Sequence, residues 1–150
     1  MRGNTCDLVD LGSALRIPTS DDSNVLHLIE PQPTCGITNP QFVAPELLKD
    51  EPFDGYAIDL WAAGIILFIM LLGNDGPLFA APLPEDRKFK EISIRANLKV
   101  VLQRWNENNQ HKHAVSDDAR DLMQKMLRAE PKDRLSLAQV RQHAWVVGSK

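Results

Sequence analysis

The stretch Asp59-Leu60-Trp61-Ala62-Ala63-Gly64-Ile65-Ile66-Leu67-Phe68-Ile69-Met70-Leu71-Leu72-Gly73 decides the fold. Every residue from Leu60 to Leu72 is apolar or glycine. A helix that is apolar on all sides is buried, in a core or in a membrane. This run of 13 residues is short of the roughly 20 that a bilayer needs. The reading is therefore a core helix ended by Gly73, with other elements wrapped around it. Asp59 precedes the apolar run directly. A carboxylate there gains from the helix dipole but needs hydrogen-bond donors if it is buried. Either it faces water in the first turn, or it is a buried acceptor that anchors another loop.

The chain has 150 residues, which is one domain by length or part of one. Hydrophobic content of 43% and charged content of 25% are ordinary for a globular protein. Net charge is −3, with no run of Lys and Arg, so nothing favours nucleic acid or an anionic membrane as a partner. Met1-Arg2-Gly3-Asn4 leads into mixed polar sequence and not into the apolar core of a signal peptide. Cys6 and Cys35 do not make a disulfide framework, so reduced thiols and a cytoplasmic setting are expected.

Thr5 to Val9 is a short strand candidate, followed by Asp10-Leu11-Gly12. Ser13 to Asn39 has no periodicity and is marked as a long loop by Pro18, Pro31 and Pro33, with Val25 to Ile29 as an extended piece. Ala44-Pro45-Glu46-Leu47-Leu48-Lys49 predicts a short helix with Pro near its start. Asp50 to Gly55 reads as a loop before the core helix, and Asn74 to Pro84 as another. Glu85 to Ile94 predicts a helix opened by acidic residues. Leu98, Val101, Leu102 and Trp105 lie at helical spacing and predict a further one. Asn106 to His113 is polar; His111 and His113 fit a solvated pair far better than a metal site. Ser116 is an N-cap, and Ala119, Leu122, Met123, Met126 and Leu127 make one apolar stripe that Pro131 stops. Ser136-Leu137-Ala138-Gln139 is a capping box opening the last helix, which ends near Trp145. The fold class is mainly α.

Three items occur in a fixed order: Asp10-Leu11-Gly12, then Ala44-Pro45-Glu46, then Asp59-Leu60-Trp61-Ala62-Ala63-Gly64. Glu130-Pro131-Lys132-Asp133-Arg134-Leu135 and His143-Ala144-Trp145 follow. Each is weak alone. In this order the chain resembles the C-terminal lobe of a eukaryotic serine/threonine protein kinase, most like the calcium/calmodulin-dependent group. The resemblance implies one partial kinase domain over 1–150, with an activation segment at about 10–46 and a helical lobe at about 44–147.

The resemblance also assigns roles. Asp10 matches the Asp that holds Mg²⁺ on the phosphates of ATP. Leu11 stands where the family usually has Phe, and Gly12 is expected to supply backbone freedom at the start of the activation loop. Thr19, Ser20, Ser23, Thr34 and Thr38 are the hydroxyls open to phosphorylation in that loop, none ranked above the others. Asn39, Pro40, Gln41 and Phe42 lie where the family has its substrate loop; Gly36 is displaced and Asn39 replaces a Thr. Glu46 and Arg134 match a buried ion pair, and Asp59 the acid that accepts backbone N–H groups from the catalytic loop. Trp61 and Gly64 belong to the same structural set. His143-Ala144-Trp145 has Ala where the family has Pro.

Phosphoryl transfer needs parts that these residues do not supply. No Gly-x-Gly-x-x-Gly, no Val-Ala-Ile-Lys type strand and no His-Arg-Asp-x-x-x-x-Asn loop occurs between Met1 and Lys150. The resemblance implies ATP and Mg²⁺ as cofactors and a Ser/Thr-bearing protein as substrate for the complete domain. It leaves no general base among these residues. Two readings stand: a piece of an active kinase that is inactive alone, or a non-catalytic docking or regulatory fragment.

Overall fold

Asp54, and not Asp59, opens the long helix. Its Oδ1 accepts from the Tyr56 N–H at 2.9 Å, so the first turn is capped before the apolar run begins. The computed structural model describes residues 7, 11–17, 28–31, 39–49, 51–73, 78–108 and 115–148. Within them helix α1 spans Gly55–Leu72, 18 residues, and ends at Gly73 with φ 75°. That left-handed backbone is where glycine is favoured. Asp59 therefore lies past the first turn.

By length and composition alone α1 could cross a membrane, since it is longer than the apolar run suggested. Its packing makes it a core helix. Leu60, Trp61, Gly64, Ile65, Phe68 and Leu72 are buried against other elements. Burial on every side, however, is not what is found. Tyr56, Asp59, Ala63, Ile66 and Met70 recur at helical spacing and form an exposed stripe. Ile66 is 52% exposed and Met70 77%. The described elements pack against one side of α1 only.

Helix α4 (Asp117–Met126) is the main partner of α1. Ser116 caps it, its Oγ accepting from the Ala119 N–H at 3.2 Å. Ala119, Leu122, Met123 and Met126 face the core. The helix ends at Met126, before Pro131, which opens a separate 3₁₀ turn at Pro131–Asp133. Gly64 sets the distance between α1 and α4. A Cβ there would lie 3.0 Å from Leu127 Cδ2 and 3.1 Å from Met126 Cβ. Gly55 allows a different close approach, at the start of α1, by Ile29 and Ile17. Its Cβ would lie 2.9 Å from Ile29 Cδ1, just after β1 (Leu28–Ile29) pairs antiparallel with β2 (Phe53–Asp54).

The expected single helix over Glu85 to Ile94 is instead a short turn of α2 (Arg87–Phe89) that widens into a π turn at Lys90–Ile94. Asp86 caps it, accepting from the Phe89 N–H at 3.0 Å and from the Ala80 N–H at 2.9 Å. Helix α3 spans Leu98–Asn108, with Leu98 and Leu102 buried and Trp105 stacked on Phe68 at 5.9 Å. Gln124 of α4 ties both pieces down. It donates to the Ile92 carbonyl at 2.8 Å and accepts from the Leu98 N–H at 2.8 Å. Trp61, Phe79 and Phe89 form an aromatic cluster at the centre, with ring centroids 5.5 to 6.1 Å apart.

The last helix is divided. α5 (Leu137–Gln142) opens with the full capping box of Ser136 and Gln139. His143 then caps α6 (Ala144–Val147), its Nδ1 accepting from the Trp145 N–H at 3.3 Å while its Nε2 meets Asp121 Oδ2 at 3.0 Å. The Thr5 to Val9 strand candidate, apart from Asp7, lies outside the described residues. So do Cys6, Cys35, His111, His113 and the five loop hydroxyls.

Gly64→Val should lower stability by about 1–3 kcal/mol through overpacking against Leu127 and Met126, despite the removal of a helix glycine. Urea unfolding of the two chains measures it, and an unchanged midpoint would show that α1 and α4 are further apart than described.

Candidate functional site

Pro45 starts the 3₁₀ turn Pro45–Leu48, where its lack of an N–H costs nothing, and Glu46 follows inside the fold. Arg134 follows the Pro131–Asp133 turn, its own N–H donating to the Pro131 carbonyl at 3.1 Å. The two side chains meet across 88 positions of sequence in a bidentate pair, Nη1 to Oε1 and Nη2 to Oε2 at 2.6 Å each. Their side chains are 1% and 9% exposed for Arg134 and Glu46.

A guanidinium has five N–H donors, and here each has an acceptor. Nη1 also donates to the Ala57 carbonyl at 3.1 Å, and Nη2 to the Ala129 carbonyl at 3.1 Å. Nε donates to the Arg128 carbonyl at 2.7 Å. The cation also lies 4.9 Å above the Trp61 ring, where the π face attracts it. Desolvating a charge is costly unless its bonds are all made, and this site meets that condition. The Trp61 indole Nε1, by contrast, is buried with no hydrogen-bond partner among the described residues.

Asp59 stands apart from this cluster. It is exposed, and no hydrogen bond to its carboxylate is found among the described residues. Of the two readings of Asp59, the described residues show the one that faces water, though past the first turn: the cap is Asp54, and Asp59 sits within the exposed stripe of α1. Partial burial by that apolar surface pushes its carboxyl above the ordinary 3.8. Gly12 lies in a 3₁₀ turn at Leu11–Ser13, a backbone that other residues also adopt, so the freedom expected of it is not used there. Asn39 is exposed, Pro40–Phe42 form a 3₁₀ turn, and Phe42 packs on the main core.

Asp10 lies outside the described residues. Among the described residues no group of three or more His, Cys, Asp or Glu is placed to hold a metal ion. No chemical step is assigned to the described residues. What they do is fix the segment carrying Asn39 to Glu46 against the late helices. The carbonyls of Ala57, Arg128 and Ala129 and the side chain of Gln124 were not legible as site components. Backbone acceptors leave no trace in a sequence, and Gln124 looks like any polar residue on an amphipathic helix.

Breaking the pair by Glu46→Ala or Arg134→Ala should cost about 3–5 kcal/mol, because the remaining charge stays buried and unpaired. The double variant should cost less than the sum. Denaturant unfolding of the full cycle gives the coupling, and strict additivity would show that the two side chains do not meet in solution.

A family model described as Protein kinase domain matches residues 2–146. Human serine/threonine-protein kinase DCLK3 is 34% identical over 121 residues, which covers 80% of this chain and 17% of that protein. Calcium-dependent protein kinase 19 of Arabidopsis thaliana is 38% identical over 105 residues, 70% of this chain and 17% of that protein. Smooth muscle myosin light chain kinase of Gallus gallus is 28% identical over 144 residues, 96% of this chain and 6% of that protein. The chain thus spans less than a fifth of the length of each of these relatives. With a family match over nearly its whole length and a mainly helical, lobe-like fold, the chain belongs to the protein kinase domain family.

Proposed function

We propose that the chain is the helical C-terminal part of a cytoplasmic serine/threonine kinase domain, a domain that transfers phosphate from ATP-Mg²⁺ to Ser/Thr of a protein when complete. The observation that carries this is the clamp of Arg134 on Glu46. It fastens the segment after the substrate loop, Asn39, Pro40, Gln41 and Phe42, to the late helices. A peptide-accepting loop needs a rigid base, and a fully bonded guanidinium supplies one. Asp10 is the residue assigned to Mg²⁺. The general base and the phosphate clamp are to come from outside the 150 residues, so the chain alone is inactive.

A second reading, a non-catalytic docking or regulatory fragment, draws on the same missing parts. The exposed stripe of α1 separates the two. In the first reading it is covered by kinase segments that include a loop donating N–H groups to Asp59. In the second no further kinase segment is needed to cover it.

The purified 150-residue chain should transfer no phosphate from ATP-Mg²⁺ to generic serine/threonine peptides, since it has neither general base nor phosphate clamp. Turnover that survives purification and vanishes in Asp10→Ala would contradict this.

The stripe makes a further expectation. An apolar patch of roughly several hundred Å² invites association, so the chain alone should bind a dye for apolar surface and self-associate. A longer polypeptide with the upstream lobe should do neither. Asp59→Asn gives the sign. With its carboxyl raised above 3.8, the contribution of Asp59 itself to stability is full below that value and is lost as pH rises through the raised one. Asp59→Asn should therefore stabilise the isolated chain at pH 7, by less than about 1 kcal/mol because the group is exposed and screened. In the longer polypeptide it should destabilise. Urea midpoints at pH 7 for both lengths decide. A short chain that binds no dye, and is weakened by Asp59→Asn, supports the self-sufficient fragment instead.

A further inference from the structure

Charge is unevenly placed along the chain. Six of its 17 Lys and Arg, but one of its 20 Asp and Glu, lie between residues 87 and 104, a balance of +5. The remaining residues carry −8. The six cations, Arg87, Lys88, Lys90, Arg95, Lys99 and Arg104, are all exposed. The acids that bound the stretch are Asp86 and Glu107. Asp86 is occupied with the backbone, its two carboxylate oxygens accepting from the Ala80 and Phe89 N–H groups.

The fold gathers three of these cations. Ala96, a non-glycine residue at φ 57°, turns the chain between the π turn and α3. The Asn97 N–H donates back to the Glu91 carbonyl at 2.9 Å and closes that turn. The two elements then pack side by side. Lys88 Nζ lies 5.3 Å from the centre of the Trp105 ring. Arg95 Nη1 bonds Glu91 Oε1, and Asn97 donates to Glu91 Oε2 at 3.4 Å. The bond from Asn97, then the bond from Arg95 and the charges of Arg95 and Arg104, hold the Glu91 carboxyl below the ordinary 4.5. The two bonds from Gln124 pin the π turn and α3 together, so this face is formed before anything binds.

We propose that the face carrying Lys88, Arg95 and Arg104 is a docking surface for a short acidic segment of a protein partner. Three cations stand around one carboxylate, and both oxygens of that carboxylate are engaged, so the face keeps a surplus of positive charge. An acidic segment complements it. Lys88 and Arg95 are seven positions apart on helical backbone, a rise of about 10 Å. An extended segment covers that span in about three or four residues.

A longer polyanion fits less well. Glu107 ends the basic stretch along α3, and α4, packed on α3, opens with Asp117 and Asp118. A nucleic acid or an anionic membrane that extends past the cations meets those acids and the −8 carried by the rest of the chain. A segment of a few residues stays within the positive face. Lys99 belongs to the same stretch of sequence but not to the face. Five positions before Arg104 on α3, it points about 140° away round the helix. The surface uses no residue of the activation segment and stands under either reading above.

The test titrates the folded polypeptide that contains these residues with a tetraglutamate peptide, followed by the NMR signal of the Trp105 indole N–H. Tetraglutamate should bind and tetraglutamine should not, and binding should weaken about threefold or more between about 20 mM and about 200 mM salt. Arg95→Glu and Arg104→Glu should each weaken it about threefold to tenfold. Glu91→Gln, which removes the one acid and keeps an acceptor for Arg95, should tighten it about twofold to fivefold. Lys99→Glu, the same change of charge off the face, should alter it by less than about twofold. No binding of tetraglutamate at millimolar concentration, no gain in Glu91→Gln, or a loss in Lys99→Glu equal to that in Arg95→Glu overturns the docking face. An oligonucleotide with four phosphates, or vesicles one quarter phosphatidylserine, bound as tightly as tetraglutamate through Arg95 and Arg104 overturns the protein partner.

Discussion

The Arg134 guanidinium is the constraint on which the rest of the arrangement depends. It sits in the interior with all five donors bonded, to one carboxylate and three carbonyls. Those acceptors come from three places in the chain: the Pro45–Leu48 turn, the first turn of α1, and the two residues that follow Leu127. A charge in that position tolerates no partial arrangement, because each lost bond leaves part of a buried cation unpaired. The segment with the substrate loop, the long helix and the late helices are therefore fixed relative to one another by a single side chain. Trp61 closes the site from below with its ring face. The aromatic cluster of Trp61, Phe79 and Phe89 then passes that rigidity to the π turn.

The same clamp explains why the two halves of α1 behave differently. Where Arg134, α4 and the aromatic cluster reach it, α1 is buried down to the glycine level, and Gly64 lets the Leu127 side chain approach. On its other face nothing among the described residues covers Ile66, Met70 or Asp59. Apolar surface and a carboxylate exposed side by side are a poor pair of neighbours for water. The apolar groups are driven to be covered, and the carboxylate then needs donors from whatever covers them. An occupant of this face has to bring both.

The sequence was legible wherever a local rule acted alone. Ser116 and Ser136 marked helix starts because a cap needs only its own side chain and a backbone N–H three residues on. Gly73 marked a stop because its left-handed φ excludes most other residues. Glu46 and Arg134 were legible only through family resemblance, since nothing local says that two residues so far apart meet. The misreadings have a common source. Apolar composition marked α1 as a core helix, yet composition cannot say which of its faces have partners. Asp59 was taken for the head of the helix because it precedes the apolar run, but Asp54 caps earlier with Tyr56 in the first turn. The widening of α2 into a π turn left no sign, because its register is set by Gln124 from another helix. The basic face beside Trp105 was likewise invisible, as Lys88, Arg95 and Arg104 come together only where the π turn and α3 pack side by side.

The most direct test of the account is the Arg134 side chain itself, observed by nitrogen-15 NMR in the folded protein. A guanidinium with all its donors bonded cannot rotate freely about its C–N bonds or exchange its protons quickly with water. Its Nε–H and individual Nη–H signals should be separately resolved and protected, unlike those of exposed Arg87, and should collapse in Glu46→Gln. A single averaged Nη signal exchanging with water as fast as that of Arg87 would contradict the clamp, and with it the organisation of the fold around it.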